Sequence, residues 1–513
     1  MKLKKVLLAS GITLGVLAIV IAGVVAAILA EIDKDPFAPL YADNCSQCHG
    51  ESYEGTGEGP ALIGAEFKYG DSVVEITESI ATGFPQTGMP GWSGVLGEGQ
   101  VQALAILVAE KRVNRQFTDF KTDKELSIPQ DPIESELLNF RVETVATGLD
   151  PFPFSIAPLP DGRILLTEKE RGLSIISVDG MRSEPISGTP ETSNLSITVL
   201  GLKMGLGWFL DVALHPDYEN NGWIYLLHTH ICTNCDSWMP VTMNRVIRGR
   251  VVEDVWQDEE IIWNVAPEFY SSIPDIGAGG RLAFDPDGYV YLSVGLKGAN
   301  NYAGIQDLGT PYGKIHRVHD DGRVPADNPF LDRQGAQPSI WTYGHRSPQG
   351  LEFNVNTRQL WGTEMGPRGG DEVNLLLPGR NYGWPLYSKG VDYDSTPVEY
   401  WKELGIEFDL ADIEQPVVDM TPSPAVSSFI IYQGEAFLEW QDNLIVGSLK
   451  ATELYRIVLD GDVHVHSEIL LEDLARIRDV ESGPDGLIYL LLEHESASQI
   501  VKLVPEDRHA LGG

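Results

Sequence analysis

Cys45-Ser-Gln-Cys48-His49 places two cysteines two residues apart, with a histidine directly after the second. That spacing is the attachment signature of a c-type haem. The thiols become thioethers to the haem vinyl groups, and the adjacent imidazole is held beneath the iron as an axial ligand. A redox CxxC pair or half a zinc site beside a chance histidine would use the same residues, but the flanking sequence favours haem. Met89, in Gly88-Met89-Pro90-Gly91, is the only methionine between this motif and residue 180. A thioether suits the second axial position and raises the potential. Core packing is the plainer use of a methionine, yet a Met-Pro-Gly turn is an odd place for it. A covalent haem moves single electrons. The rest of the chain should therefore supply an electron donor, an acceptor and a route to an oxidising compartment.

A second set of residues carries charge against the trend of the chain. Arg346 lies in Gly344-His-Arg-Ser-Pro-Gln-Gly350, Lys450 in Ser448-Leu-Lys450, and Arg476 and Arg478 in Arg476-Ile-Arg478-Asp479. Four cations at the ends of apolar runs suggest a bound polyanion, and arginine forks suit carboxylates. Pairing of each with a neighbouring acid is the competing reading. Gly366-Pro367 offers backbone carbonyls to a hard cation such as Ca2+. Separately, His228-Thr-His230-Ile-Cys232-Thr-Asn-Cys235 ends an apolar run. Two histidines and two cysteines could hold zinc or copper. In an oxidising compartment a Cys232–Cys235 disulfide is the simpler outcome.

Length and composition bound the scaffold. The 513 residues allow two or three domains. With 37 Lys+Arg against 74 Asp+Glu the formal charge is -37, which argues against nucleic-acid binding and suits an extracytoplasmic surface. Four cysteines, two of them in the haem motif, exclude a disulfide-built scaffold. Lys2, Lys4 and Lys5 precede a run from Val6 to Ala30 without a charged residue. That run is long enough to span a bilayer, and the lysines keep its start cytoplasmic. It exceeds the apolar region of a cleaved signal peptide, and Ile28-Leu-Ala30 is a poor cleavage site. Residues 1–31 therefore read as a transmembrane anchor, with export to the periplasm as a cleaved protein the alternative.

Residues 38–115 read as a small all-α haem domain, closed by a helix around Val101–Glu110. Residues 116–139 are charged, broken by Pro129 and Pro132, and read as a linker. From 140 to 513 the chain repeats a turn followed by a strand. Clear copies begin at Asp161, Asn221, Asp287 and Asp485, and weaker ones at Thr357 and Asp442. Six such units predict an all-β, six-bladed β-propeller, one unit per blade. Loops of several blades would then bring the four cations to the central channel.

Two resemblances follow from these motifs. Residues 38–115 resemble a monohaem class I cytochrome c, which implies iron held by His49 and Met89. The segment from Phe140 to about Val504 resembles the soluble-type PQQ-dependent glucose/sorbosone (aldose sugar) dehydrogenases. The most specific matches are Gly344–Gly350, Asn381-Tyr-Gly-Trp-Pro385 and Arg476–Asp479, with Pro325-Ala-Asp-Asn-Pro329 a lesser one. The resemblance implies pyrroloquinoline quinone held by Arg346, Lys450, Arg476 and Arg478. It also implies Ca2+ on the carbonyls of Gly366 and Pro367.

The chain departs from that family at several positions. The family has a histidine base four residues before the arginine of its Gly-Arg-Leu stretch; in Gly277-Ala-Gly-Gly-Arg281-Leu282 the position is Gly277. Ser347 replaces an asparagine, Leu206 a polar residue, and Met420 an aromatic. Asp275 lies near the missing base in sequence. The catalytic residue is thus unassigned, while the cofactor anchors are kept.

The reading is a membrane-anchored, periplasm-facing quinohaemoprotein. It oxidises a sugar or alcohol at PQQ and passes electrons through the haem to a respiratory acceptor. Fusion keeps donor and haem at high effective concentration. The alternatives are a carbohydrate-binding or redox-sensing propeller without turnover, and a metal-dependent hydrolase or lactonase on the same architecture.

Overall fold

The computed structural model describes residues 35–116, 126–193, 195–199, 202–297 and 302–506. The N-terminal apolar run, expected to be an anchor, lies outside them. Among the described residues no helix is long and apolar enough to cross a membrane. The chain divides into two compact units, Met1–Asp119 and Phe120–Gly513.

The first unit is helical. Its helices are α1 (Ala38–Asn44), α2 (Ser46–His49), α3 (Val73–Thr82) and α4 (Glu98–Arg112). Ser72 starts α3 with a capping box: its hydroxyl accepts from Glu75 N, and the Glu75 carboxylate accepts from Ser72 N. Helix α4 is the core element, buried without a break from Ala103 to Glu110. A helix apolar on all sides belongs inside. Haem-motif residues sit on α2 and its N-cap, Cys45.

The second unit is a ring of six antiparallel sheets. Blade 1 is three-stranded, Pro153–Pro158, Ile164–Glu168 and Gly172–Ile176. The innermost strands of blades 2 to 5 are Phe209–Leu214, Gly279–Phe284, Pro348–Asn354 and Val426–Ile431, each leading a four-stranded sheet. Blade 6 begins with Arg476–Ser482 and Ile488–Glu493, then Ser498–Pro505. Its next strand is Asn139–Leu149, from the start of the unit, paired Phe140 to Pro505 and Val142 to Leu503. First and last strands thus latch the ring shut, which leaves no open end to the ring.

Each of the six sequence copies falls at the turn between the first and second strands of one blade. Every such turn holds a residue at positive φ: Gly162, Gly222, Gly288, Arg358, Asp442 and Gly486. Glycine adopts this conformation freely. The two weak copies are weak because Arg358 and Asp442 take it instead.

The stretch read as linker is not all linker. Ile133–Glu134 pairs with Asn139–Phe140 as the outermost strand of blade 6. Leu126, Ile128, Ile133 and Leu138 pack on the blade 5–blade 6 core beside Phe140, Trp440 and Ile477.

Arg281, on the innermost strand of blade 3, ties the ring at its axis. Its guanidinium donates to Asp211 of blade 2 (3.2 Å), Asp479 of blade 6 (2.7 Å), and the carbonyls of Gln349 (2.7 Å) and Arg478 (3.0 Å). Its other face lies over the Phe154 ring of blade 1, at 4.6 Å. One side chain therefore touches four other blades.

Candidate active site

The loop from blade 3 into blade 4 presents Arg346. Glu364, at the end of the second strand of blade 4, holds this loop. It accepts from the backbone N–H of Arg346 and Ser347, and from His345 Nδ1 at 2.8 Å. His345 is buried, stacks on Tyr382 (4.8 Å between centroids) and meets Thr342 Oγ1 with Nε2 at 2.8 Å. The Arg346 guanidinium then lies over the Trp384 ring at 5.2 Å and donates to the Met365 carbonyl at 3.2 Å. Its Nε is buried with no hydrogen-bond partner among the described residues. A buried N–H without an acceptor is costly and points to a ligand.

Gly366 and Pro367 follow Glu364 directly. The turn is fixed by Asp371, whose carboxylate accepts from Gly366 N at 3.1 Å and Val426 N at 2.9 Å. A Cβ on Gly366 would lie 2.4 Å from the carbonyl oxygens of Gly369 and Gly370, so only glycine fits.

Arg476 and Arg478 lie two residues apart on the innermost strand of blade 6, hence on one face. Both pair with Glu493 of the neighbouring strand: Arg476 Nε at 2.9 Å, and Arg478 Nη2 at 2.6 Å. Burial opposes the Glu493 charge, but Arg478 and Arg476 outweigh it and hold its pKa at about 2. Two of the four cations thus do pair with an acid, and it is the same one, Glu493. Arg476 also donates to the Leu449 carbonyl at 3.3 Å, which brings in the loop carrying half-buried Lys450. Lys169, just past the second strand of blade 1, joins this group through its electrostatic coupling to Arg478, Glu493 and Arg476.

The sequence reading missed Glu493 and Lys169. Glu493 is the one charged residue of an otherwise apolar strand, which is a local signal; Lys169 follows Thr167-Glu168 and carries none.

The departures from the family pattern have structural partners. A Cβ on Gly277 would meet Leu296 Cδ1 at 3.0 Å, so an apolar side chain faces the position of the usual base. Leu296 N donates to the Arg346 carbonyl at 2.9 Å, which ties this spot to the cation loop. Asp275 is no replacement base. It is buried and accepts from Gly207 N (2.7 Å), Thr229 (2.5 Å), Thr242 (2.9 Å) and Lys297 Nζ (2.5 Å). Four donors, one of them the buried Lys297 ammonium, make it a structural clamp. Ser347 is buried and accepts from Gln349 Nε2 at 2.9 Å. Leu206 and Met420 are half-buried, and the Met420 N–H donates to the Asp371 carbonyl at 2.9 Å.

In the helical unit, His49 Nδ1 lies 2.8 Å from the Pro60 carbonyl. A proton on Nδ1 fixes the tautomer and leaves Nε2 for iron. Gly59 makes this possible, since a Cβ there would lie 2.7 Å from the Cys48 carbonyl oxygen. Cys45 and Cys48 are half-buried and form no disulfide with each other. Half-buried Met89 ends a tight turn in which its carbonyl accepts from Phe84 N at 2.9 Å. Elsewhere, Cys232 and Cys235 form a disulfide. Among the described residues no three His, Cys, Asp or Glu side chains gather into a metal-binding group.

A latched six-bladed ring with cations at its blade ends, in one chain with a haem-motif unit, defines a cytochrome-linked propeller oxidoreductase. The comparisons make this specific. Residues 151–502 match the Glucose / Sorbosone dehydrogenase family, and the chain belongs to it. Residues 33–108 match Cytochrome C oxidase, cbb3-type, subunit III. The chain is 34% identical over 371 residues to the aldose sugar dehydrogenase YliI of Escherichia coli, covering 71% of this chain and 93% of that protein. It is 28% identical over 431 residues to quinoprotein glucose dehydrogenase B of Acinetobacter calcoaceticus, covering 69% and 86%. The crystal structure of the soluble E. coli aldose sugar dehydrogenase, in its apo-form, superposes with a TM-score of 0.63 at 33% identity, over 72% of this chain and all of that one. The protein is a sugar dehydrogenase-like oxidoreductase with a cytochrome c domain.

Proposed function

We propose that this chain is a membrane-anchored, periplasm-facing quinohaemoprotein that oxidises a sugar with PQQ and hands the electrons to a respiratory acceptor through haem c. The observation that carries the reading is the pocket charge. Arg346 Nε is buried with no hydrogen-bond partner among the described residues, and Arg476 and Arg478 both face Glu493 beside Lys169. This donor set fits a tricarboxylate. Arg346, Lys450, Arg476 and Arg478 would hold PQQ, and the carbonyls of Gly366 and Pro367 would hold Ca2+. When bound, PQQ supplies a two-electron acceptor for a carbinol carbon. The chain's own part is to fix the pocket: Glu364 orients Arg346, Asp371 shapes the Gly366 turn, and Trp384 covers the guanidinium. Cys45 and Cys48 would attach the haem, with His49 and Met89 on the iron.

Gly277 and Leu296 favour a second reading, a sugar-binding propeller with little turnover, because no proton acceptor stands at that position. One experiment separates the two. The full-length haem protein is loaded with PQQ and Ca2+, and haem reduction is followed over a panel of aldoses. Reduction by any of them supports the dehydrogenase; PQQ binding without reduction supports the binding module. No PQQ binding with Ca2+ present refutes the cofactor assignment. Retention on membranes after a high-salt wash checks the anchor, and a soluble product beginning near Glu31 refutes it.

A further inference from the structure

Lys169 is a buried lysine for which the mechanism so far has no use. Its backbone is fixed on both sides: its N–H donates to the Phe152 carbonyl at 3.0 Å, and its carbonyl accepts from Phe209 N at 3.0 Å. The residue is 7% exposed, and its amine lies 5.0 Å from the Trp208 ring and 5.9 Å from the Phe154 ring. Among the described residues nothing accepts a hydrogen bond from that amine. The acids beside it in sequence are engaged elsewhere, Glu168 with Arg171 and Arg182, and Glu170 with Lys203.

The charges that face it are unbalanced. From blade 6 come Arg476 and Arg478 on the first strand and Glu493 on the second, already shared by both arginines. Lys203, from the hairpin before blade 2, adds a like charge. Three cations, Lys169, Arg476 and Arg478, thus surround one carboxylate in a buried place. Burial first, then the charge of Arg478, pulls the Lys169 pKa down to about 7. The amine is therefore half neutral at neutral pH. An anion placed among these cations would reverse the second effect and restore its charge.

We propose that Lys169 is a fifth cationic ligand of the tricarboxylate cofactor and takes up a proton from solvent as the cofactor binds. The proton adds to the Nζ lone pair, and nothing is oxidised or reduced. This rests on the assignment of PQQ to the pocket. It also means that Lys169 does not replace the missing histidine: an ammonium held by carboxylates has no lone pair for a substrate proton.

Titration calorimetry of PQQ into the full-length, haem-loaded protein with Ca2+ tests this, in buffers of different ionisation enthalpy. With a free pKa of about 7, uptake approaches one proton near about pH 8.5 and falls toward zero near about pH 5.5. Only the protonated form binds well, so Kd rises about tenfold per pH unit above about pH 8. Lys169→Met should raise Kd about tenfold or more and abolish the uptake. Lys169→Arg keeps the charge and should restore much of the affinity without the uptake. An unchanged haem spectrum and melting curve show that each variant folds. Wild-type binding without proton uptake, or an unchanged Kd in Lys169→Met, overturns the proposal. Failure of the wild-type protein to bind PQQ overturns the cofactor assignment itself, and this proposal with it.

Discussion

Gly277→His tests whether only the base is missing. The substitution places Cβ 3.0 Å from Leu296 Cδ1 and 3.2 Å from its Cγ, so the leucine side chain must move. Its backbone will stay, because Leu296 N is held by the Arg346 carbonyl. The obstacle is thus the end of a flexible side chain, an overpacking that costs about 1–3 kcal/mol of stability. Gly277→His/Leu296→Ala removes the obstacle and serves as the second arm. A positioned general base contributes typically ~10²–10⁴-fold. At about 1.4 kcal/mol per tenfold, that is roughly 3–5 kcal/mol of barrier. Glucose-driven haem reduction in the PQQ-loaded protein should therefore be slow, and should rise by up to that factor in the double variant. The gain should also carry a new pH limb near the ordinary histidine pKa of about 6.5, because only the neutral imidazole accepts a proton. If the unmodified protein reduces its haem with glucose as fast as a histidine-bearing relative, the base has been misplaced. If the double variant binds PQQ and gains nothing, the missing histidine is not what limits turnover.

Three further outcomes are expected. Met89→Ala should remove the sulfur–iron charge-transfer band and lower the haem potential, and an unchanged spectrum would assign the sixth ligand elsewhere. Arg281→Met leaves Asp211 and Asp479 buried without their shared cation, so the urea midpoint should drop by an amount worth about 3–5 kcal/mol; an unchanged midpoint would show that the axial contacts contribute nothing. Glu493, normally near 4.5, is held at about 2, which contributes roughly 3 kcal/mol of stability. A lowered carboxylate pKa means this stability is present above about pH 4.5 and lost as pH falls toward about 2. Melting temperature followed down that range should therefore decline less steeply in Glu493→Gln, and equal slopes would refute the pairing.

What could be read along the chain and what could not divide on one physical ground. A turn is local: Asp161-Gly162 or Asp287-Gly288 announces itself because glycine takes positive φ freely. The same turn built on Arg358 is nearly silent. A two-residue strand such as Ile133–Glu134 has no alternation to show, so the end of the linker hid an edge strand. Charge pairing is decided across strands by register. Arg476 stands opposite Glu493 in the blade 6 ladder, and no spacing rule connects them. Asp275 sat beside the expected base in sequence, but Thr229 and Thr242 reach it from blade 2 and lock it. Nothing local marks Lys169, just past a strand end, as buried; the packing of Phe154 and Trp208 around it does that. The cations illustrate the consequence. On a chain of net charge -37, acids are plentiful, yet Arg476 and Arg478 both turn to Glu493, and the Lys169 amine has no acceptor among the described residues. A buried excess of positive charge destabilises a protein unless something offsets it. With acids so abundant, the imbalance is best understood as matched to an anion that arrives from outside.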